Sequence, residues 1–122
     1  MSKPRRLLLV DDYRVSRTAM ARFFRFCGYE VHEAGTAEHA FDLVQSSSFD
    51  VLITDYRLRG RSDGLEVLHR FDRLAPGKQK FLVTGADPNL TKPQAEAIGA
   101  KFFEKPVILE NLLSAIEAFA KR

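Results

Sequence analysis

Short runs of purely apolar residues, each followed by a longer stretch with apolar residues at helical spacing, constrain this chain more than any other feature. Leu7-Leu8-Leu9-Val10 and Val51-Leu52-Ile53 have no polar residue between apolar ones. A strand built this way must be buried on both faces, which is the signature of a parallel sheet sandwiched between helices. The first such run leads into a helix over Val15 to Phe26, with Val15, Met20, Phe23 and Phe24 as core candidates and Gly28 as its stop. Tyr29 to Glu33 reads as a second strand. Thr36 caps a second helix that carries Ala40, Leu43 and Val44 inward and ends at Ser46-Ser47-Ser48. Val51 to Thr54 is the third strand, and Gly64 opens a third helix with Leu65, Leu68 and Phe71 on one face.

Pro76-Gly77 marks a turn before the fourth strand, Phe81-Leu82-Val83, and Lys101 to Glu104 forms the fifth. Between them Pro93 suits the first turn of a short polar helix. A last helix, Ile108 to Ala120, presents Leu109, Leu112, Leu113, Ile116 and Phe119. Five strand-then-helix units with right-handed crossovers give a doubly wound α/β sheet with helices on both faces. The 122 residues fit one domain spanning 1–122, large enough for a real core. No apolar run reaches membrane-span length, and no apolar segment follows the basic start as a secretory signal would. One cysteine, Cys27, excludes an internal disulfide and fits a reducing compartment, so a cytoplasmic location is expected. Cys27 itself reads as a small buried hydrophobe. The net charge of +3 could favour an acidic partner or nucleic acid, but solvated basic helix faces are the better account of it.

In a doubly wound sheet ligands bind beyond the carboxyl ends of the strands. Here those ends are polar. The first strand runs into Asp11-Asp12, the third into Asp55, the fourth into Thr84 and the fifth into Lys105. Clustered carboxylates repel one another, and a hard divalent cation offsets the repulsion. Mg²⁺ takes one or two carboxylates together with water and phosphate oxygens. Lys105 can pair with a carboxylate or a phosphate, and Thr84 can donate a hydrogen bond. The set suits metal-assisted phosphoryl chemistry.

Leu8-Leu9-Val10-Asp11-Asp12, Val51-Leu52-Ile53-Thr54-Asp55, Asp63-Gly64, Val83-Thr84-Gly85 and Lys105-Pro106 together resemble the receiver domains of two-component response regulators, the CheY-like superfamily. The resemblance runs over essentially the whole chain. It implies a flavodoxin-like sheet of order 2-1-3-4-5. It implies that Asp55 is the nucleophile that becomes an aspartyl phosphate, with Mg²⁺ bound by Asp12, Asp55 and the backbone carbonyl of Arg57, and by Asp11 mainly through water. Lys105 would pair with Asp55 and later with the phosphoryl group, Thr84 would bond a phosphoryl oxygen, and Pro106 would follow a cis peptide. Thr84 and Phe102 would form the switch, altering a surface of the fourth helix, fifth strand and fifth helix. The implied phosphodonor is a histidine kinase or histidine phosphotransfer protein, and neither direct nucleic-acid binding nor a membrane contact is expected. Phe102 stands where the family often has tyrosine, which keeps the ring and loses the hydroxyl.

Two features depart from the family's pattern. The loop from Asp55 to Asp63-Gly64 is one residue longer than the commonest form and holds Arg57, Arg59 and Arg61, either as added positive field beside the site or as a solvated loop. Arg57 and Ala86 offer no carboxylate or amide to orient a water, so slow self-dephosphorylation is expected, with no turnover enzyme. Arg14, Arg17, Arg22 and Arg25 on the first helix are either a docking face for an acidic donor or solvated charge. His32, His39 and His69 show no metal-ligand spacing. A haloacid-dehalogenase-like phosphatase would need a second acid two residues after its nucleophile, where Asp55 has Arg57 and Asp11 has Tyr13. A receiver-like interaction module that never takes phosphate is the other alternative. The output, downstream target and cognate kinase are not written in the sequence. A single-domain regulator and the receiver part of a larger regulator or hybrid kinase both fit it.

Overall fold

The computed structural model describes residues 3–120, so the expected domain bounds of 1–122 extend two residues beyond the described ones at each end. The chain forms β1 (Arg6–Val10), α1 (Arg14–Phe26), β2 (Glu30–Ala34), α2 (Ala37–Ser46), β3 (Val51–Thr54), α3 (Gly64–Leu74), β4 (Gln79–Thr84), α4 (Pro88–Ala97), β5 (Lys101–Glu104) and α5 (Leu109–Ala120). The sheet is parallel throughout, in the order β2-β1-β3-β4-β5.

The apolar runs are explained by the pleat, which sends alternate side chains to opposite faces. Leu8, Val10, Leu52 and Leu82 enter one core with Ala40 and Val44 of α2, Leu68 and Phe71 of α3 and Ala95 of α4. Leu7, Leu9, Ile53, Phe81 and Val83 enter the other, with Met20 and Phe24 of α1 and Leu112 and Ile116 of α5. Two cores on two faces need consecutive apolar residues through the middle of a central strand, with polar ones confined to its ends.

Local signals set most element ends. Thr36 caps α2 by accepting the His39 N–H at 3.1 Å, and Asp63 caps α3 by accepting the Glu66 N–H at 3.1 Å. Past α1 the chain turns at Gly28 with φ 97°, a left-handed conformation that glycine adopts without steric cost. Four expectations need correction. Pro93 lies inside α4, whereas the proline in its first turn is Pro88, after the cap Asp87. Val15 is largely exposed on α1, because Met20, Ala21 and Phe24 already fill the stripe that faces the sheet. Cys27 is exposed, standing at the C-cap of α1 rather than on its buried stripe. Ile108 stands outside α5 and is exposed, the buried face beginning further on.

Tyr29 joins the base of the sheet to α5 by donating its hydroxyl to Glu117 Oε1 at 2.6 Å. Burial, the acceptor carboxylate and its charge push the Tyr29 phenol up to about 12. An unfolded tyrosine ionises near 10. The neutral phenol therefore stabilises the fold fully below about pH 10, and that contribution disappears as pH rises towards 12. Tyr29→Phe is expected to flatten this alkaline fall, as measured by urea unfolding at a series of pH values. Phe24 and Phe26 offer a second test, being 0% and 93% exposed two residues apart. Phe24→Ala is expected to cost about 3–5 kcal/mol in the same assay, and Phe26→Ala within about 0.5 kcal/mol of nothing.

Candidate functional site

Three of the expected site residues sit one step beyond a strand, and the sheet's hydrogen-bond ladder still holds their backbones. The Asp11 N–H donates to the Ala34 carbonyl at 3.1 Å, Asp55 to Val10 at 2.9 Å and Lys105 to Thr84 at 3.0 Å. Adjacent strand ends thus fix the three side chains relative to one another before any side-chain contact forms.

The side chains then meet. Lys105 Nζ donates to Asp55 Oδ2 at 2.8 Å and to Asp11 Oδ2 at 3.0 Å. Asp11 is nearly buried and also accepts the Tyr13 N–H at 2.9 Å and the Ser16 hydroxyl at 3.1 Å. The helix cap at the start of α1 is Tyr13, which makes no side-chain cap bond, so neither Asp11 nor Asp12 spends its carboxylate as the N-cap. Asp55 Oδ1 accepts the Tyr56 N–H at 2.6 Å. Burial is the largest single influence on the Lys105 ammonium and acts to lower its pKa, but hydrogen bonds and attraction from Asp55 and Asp11 outweigh it, and the pKa is raised.

Asp12 is more open than Asp11 or Asp55, with its side chain 28% exposed, and its carboxylate lies 3.8 Å from Arg59 Nε. Thr84 is buried at the end of β4, where its hydroxyl accepts the Ala86 N–H at 3.2 Å. Phe102 is half-buried against the core on the α2, α3 and α4 side of the sheet. The Lys105–Pro106 peptide is cis. Arg57 is exposed on the loop after Asp55.

Four further residues contribute contacts around the site that the sequence did not show, although Gly64 was part of the Asp63-Gly64 motif and Arg59 one of the loop cations. Arg17 Nη1 donates to the Asp11 carbonyl at 2.9 Å while its Nε reaches Glu33 at 3.2 Å, and a side chain at Gly35 would crowd that guanidinium. Ser16 bonds the Asp11 carboxylate, and Arg59 approaches Asp12. Gly64 donates its N–H to the Tyr56 carbonyl at 2.7 Å, and a β-carbon there would overlap the carbonyl oxygen of Asp55. The only sequence signal for these was their nearness to the acidic motifs, and for Gly64 the glycine itself.

The arginines of α1 divide. Arg17 and Arg25 both pair with Glu33 of β2, and Arg25 also donates to the Val31 carbonyl at 2.8 Å, while Arg14 and Arg22 are exposed. Intramolecular pairing therefore accounts for half of the expected basic face.

Among the described residues no three acidic, histidine or cysteine side chains converge as a ready-made metal cage. A small hard cation does not need one, because one or two carboxylates and water suffice. Asp12, partly exposed, and Asp55, at the neighbouring strand end, are carboxylates of the kind such an ion takes, and Lys105 supplies a fixed positive charge at Asp55 and Asp11. Carboxylate oxygen, ammonium and buried hydroxyl at one sheet edge can together take and stabilise a phosphoryl group.

Known proteins similar to this chain are numerous. A response regulator receiver domain profile matches residues 7–117. The response regulator MprA of Mycolicibacterium vanbaalenii is 32% identical over 120 residues, 98% of this chain and 52% of that protein. A cyclic di-GMP phosphodiesterase of Thermotoga maritima is 36% identical over 107 residues, 87% of this chain and 28% of that protein. The chain thus spans about half the length of the first relative and under a third of the second. A CheY-like receiver domain protein from Methanospirillum hungatei superposes with a TM-score of 0.90 at 29% identity, covering 97% of this chain and 95% of that one. A response regulator from Burkholderia pseudomallei, solved with a phosphorylated aspartic acid, a calcium ion and citrate, superposes at 0.85 with 28% identity, covering 96% and 72%. With the expected sheet order, the expected strand-end residues and a profile match over nearly its whole length, this chain belongs to the response regulator receiver domain family of two-component signalling.

Proposed function

We propose that the chain acts as one phosphoacceptor domain over 1–122, taking a phosphoryl group on Asp55 from a histidine kinase or histidine phosphotransfer protein. One observation carries this reading. Lys105 Nζ is hydrogen-bonded to both Asp55 and Asp11, so the sheet edge already holds a nucleophile, a second acid and a cation in contact. The similar response regulator from Burkholderia pseudomallei, solved with a phosphorylated aspartic acid, supports the same class of chemistry.

Asp55 attacks the phosphorus of a phosphohistidine through a carboxylate oxygen, forming an O–P bond as the P–N bond breaks and the imidazole leaves. Lys105 is oriented at the reacting carboxylate beforehand, which avoids reorganisation as charge develops on the phosphoryl oxygens. The Tyr56 N–H fixes the other carboxylate oxygen. Asp12, Asp55 and the Arg57 carbonyl would hold Mg²⁺, with Asp11 contributing mainly through water. The ion supplies charge neutralisation for the phosphoryl oxygens. The Thr84 hydroxyl donates its hydrogen to a phosphoryl oxygen, and Phe102 follows it, altering the surface of α4, β5 and α5. Arg57 and Ala86 bring no group that positions a water, so the phosphoryl group is lost slowly.

Among the described residues no helix is long and apolar enough to cross a membrane. The domain fits a single-domain regulator or the receiver part of a larger regulator or hybrid kinase, where its output would be a protein contact.

Intact-protein mass spectrometry after incubation with acetyl phosphate tests the reading. Wild type is expected to gain one phosphoryl group only with Mg²⁺, and Asp55→Asn to gain none. Lack of an adduct with acetyl phosphate, with a phosphorylated donor protein and with beryllofluoride as mimic would leave a phosphate-independent interaction module instead. A phosphoryl half-life of seconds in Mg²⁺ would overturn the slow-loss expectation.

A further inference from the structure

Each carboxylate at the strand ends has a resident cation, and the two cations differ in kind. Lys105, part-buried, holds Asp11 and Asp55 at hydrogen-bonding distance. Arg59 approaches Asp12 from the loop between β3 and α3, its side chain 81% exposed. The backbone that delivers Arg59 is nevertheless fixed. Arg59 makes a parallel β-bridge with Thr36, the cap of α2. The next residue, Gly60, has φ 101°, a left-handed conformation. The Glu38 carboxylate lies so close to Gly60 that a β-carbon there would collide with it. The bridge thus ties the loop to the start of α2 at Arg59 itself, leaving mainly the Arg59 side chain to be ordered. That lowers the entropy cost of placing its charge at Asp12.

We infer that Arg59 is an intramolecular competitor for the divalent cation at Asp12. The inference rests on the reading above in which Asp12 is a direct metal ligand. A guanidinium and a divalent cation repel each other, so the ion must displace Arg59 from Asp12 when it binds. Lys105 differs, because its contacts lie with Asp11 and Asp55 and its charge is partly withdrawn from solvent. The loop arginine therefore sets how much free metal is needed before the site is loaded. Displacement also frees the guanidinium beside a site that is about to receive an anionic phosphoryl group.

The test is an NMR titration of the full chain with MgCl₂, following the Tyr56 amide that donates to Asp55, in wild type, Arg59→Gln, Arg61→Gln and Asp12→Asn. Arg59→Gln is expected to bind Mg²⁺ about two- to five-fold more tightly, the equilibrium equivalent of an exposed ion pair. Arg61→Gln removes the same charge from the same loop without touching the Asp12 contact, and is expected to gain less. The advantage of Arg59→Gln should shrink as KCl is raised towards 1 M, where the Debye length is about 3 Å. Unchanged affinity in Arg59→Gln, or an equal gain in Arg61→Gln, overturns the inference while leaving Asp12 as a ligand. Wild-type affinity in Asp12→Asn instead removes the ligand assignment, and the competition with it.

Discussion

The contact between Lys105 and the two carboxylates of Asp11 and Asp55 is what allows the acidic edge of this sheet to exist in a folded protein. Asp11 is 3% exposed, and a carboxylate so placed is costly to bury without a cation and hydrogen-bond donors. It receives an ammonium, a backbone N–H and a hydroxyl. Because the pKa of Lys105 is raised above the ordinary lysine value, its contribution is complete below about pH 10.4 and is lost only as pH rises through the raised value. Across the physiological range the ammonium is therefore a constant, and the site's charge balance is changed by ligands rather than by protons on Lys105.

That contact depends in turn on the parallel sheet. Parallel strands bring all their carboxyl ends to one edge, so residues 11, 55 and 105 become neighbours although they are far apart in the chain. The ladder bonds of Asp11, Asp55 and Lys105 extend the sheet one residue past each strand. A residue on a free loop would have to be ordered at the moment of reaction. These are held by the same hydrogen bonds that hold the core, which is the structural form of preorganisation.

The legible part of the sequence was the part governed by period and composition. Leu7 to Val10 and Val51 to Ile53 announced a sheet buried on both faces, and strands β3 and β5 begin and end at the expected residues. Asp11, Asp55 and Lys105 were legible because polar residues directly after buried strands have few structural uses. The errors fell where apolarity is only half the criterion. Val15 is as apolar as Met20, but its angle around α1 points it to water. Pro93 is tolerated inside α4, although a proline in a helix interior forgoes one backbone hydrogen bond. Asp87 and Pro88, ahead of it in the chain, set the helix start. The contacts of Arg17, Arg59 and Gly64 were invisible in the sequence because they arise from tertiary approach, Gly64 most plainly, since its demand for no side chain comes from the Asp55 carbonyl across the loop.

The arginines show how tertiary pairing redistributes a charge that composition reports only as a sum. Arg17 and Arg25 are paired with Glu33, so α1 carries Arg14 and Arg22 beside the exposed Val15 as its remaining basic surface, rather than a stripe of four cations. Exposed ion pairs of this kind are individually weak, but Arg17 is held at two points, by Glu33 and by the Asp11 carbonyl. Its pairing therefore serves the acidic loop more than the surface. The same division recurs around the site, where the part-buried Lys105 fixes geometry and the exposed Arg59 leaves room for exchange. Burial thus separates the cations that build the site from those that can respond to what binds there.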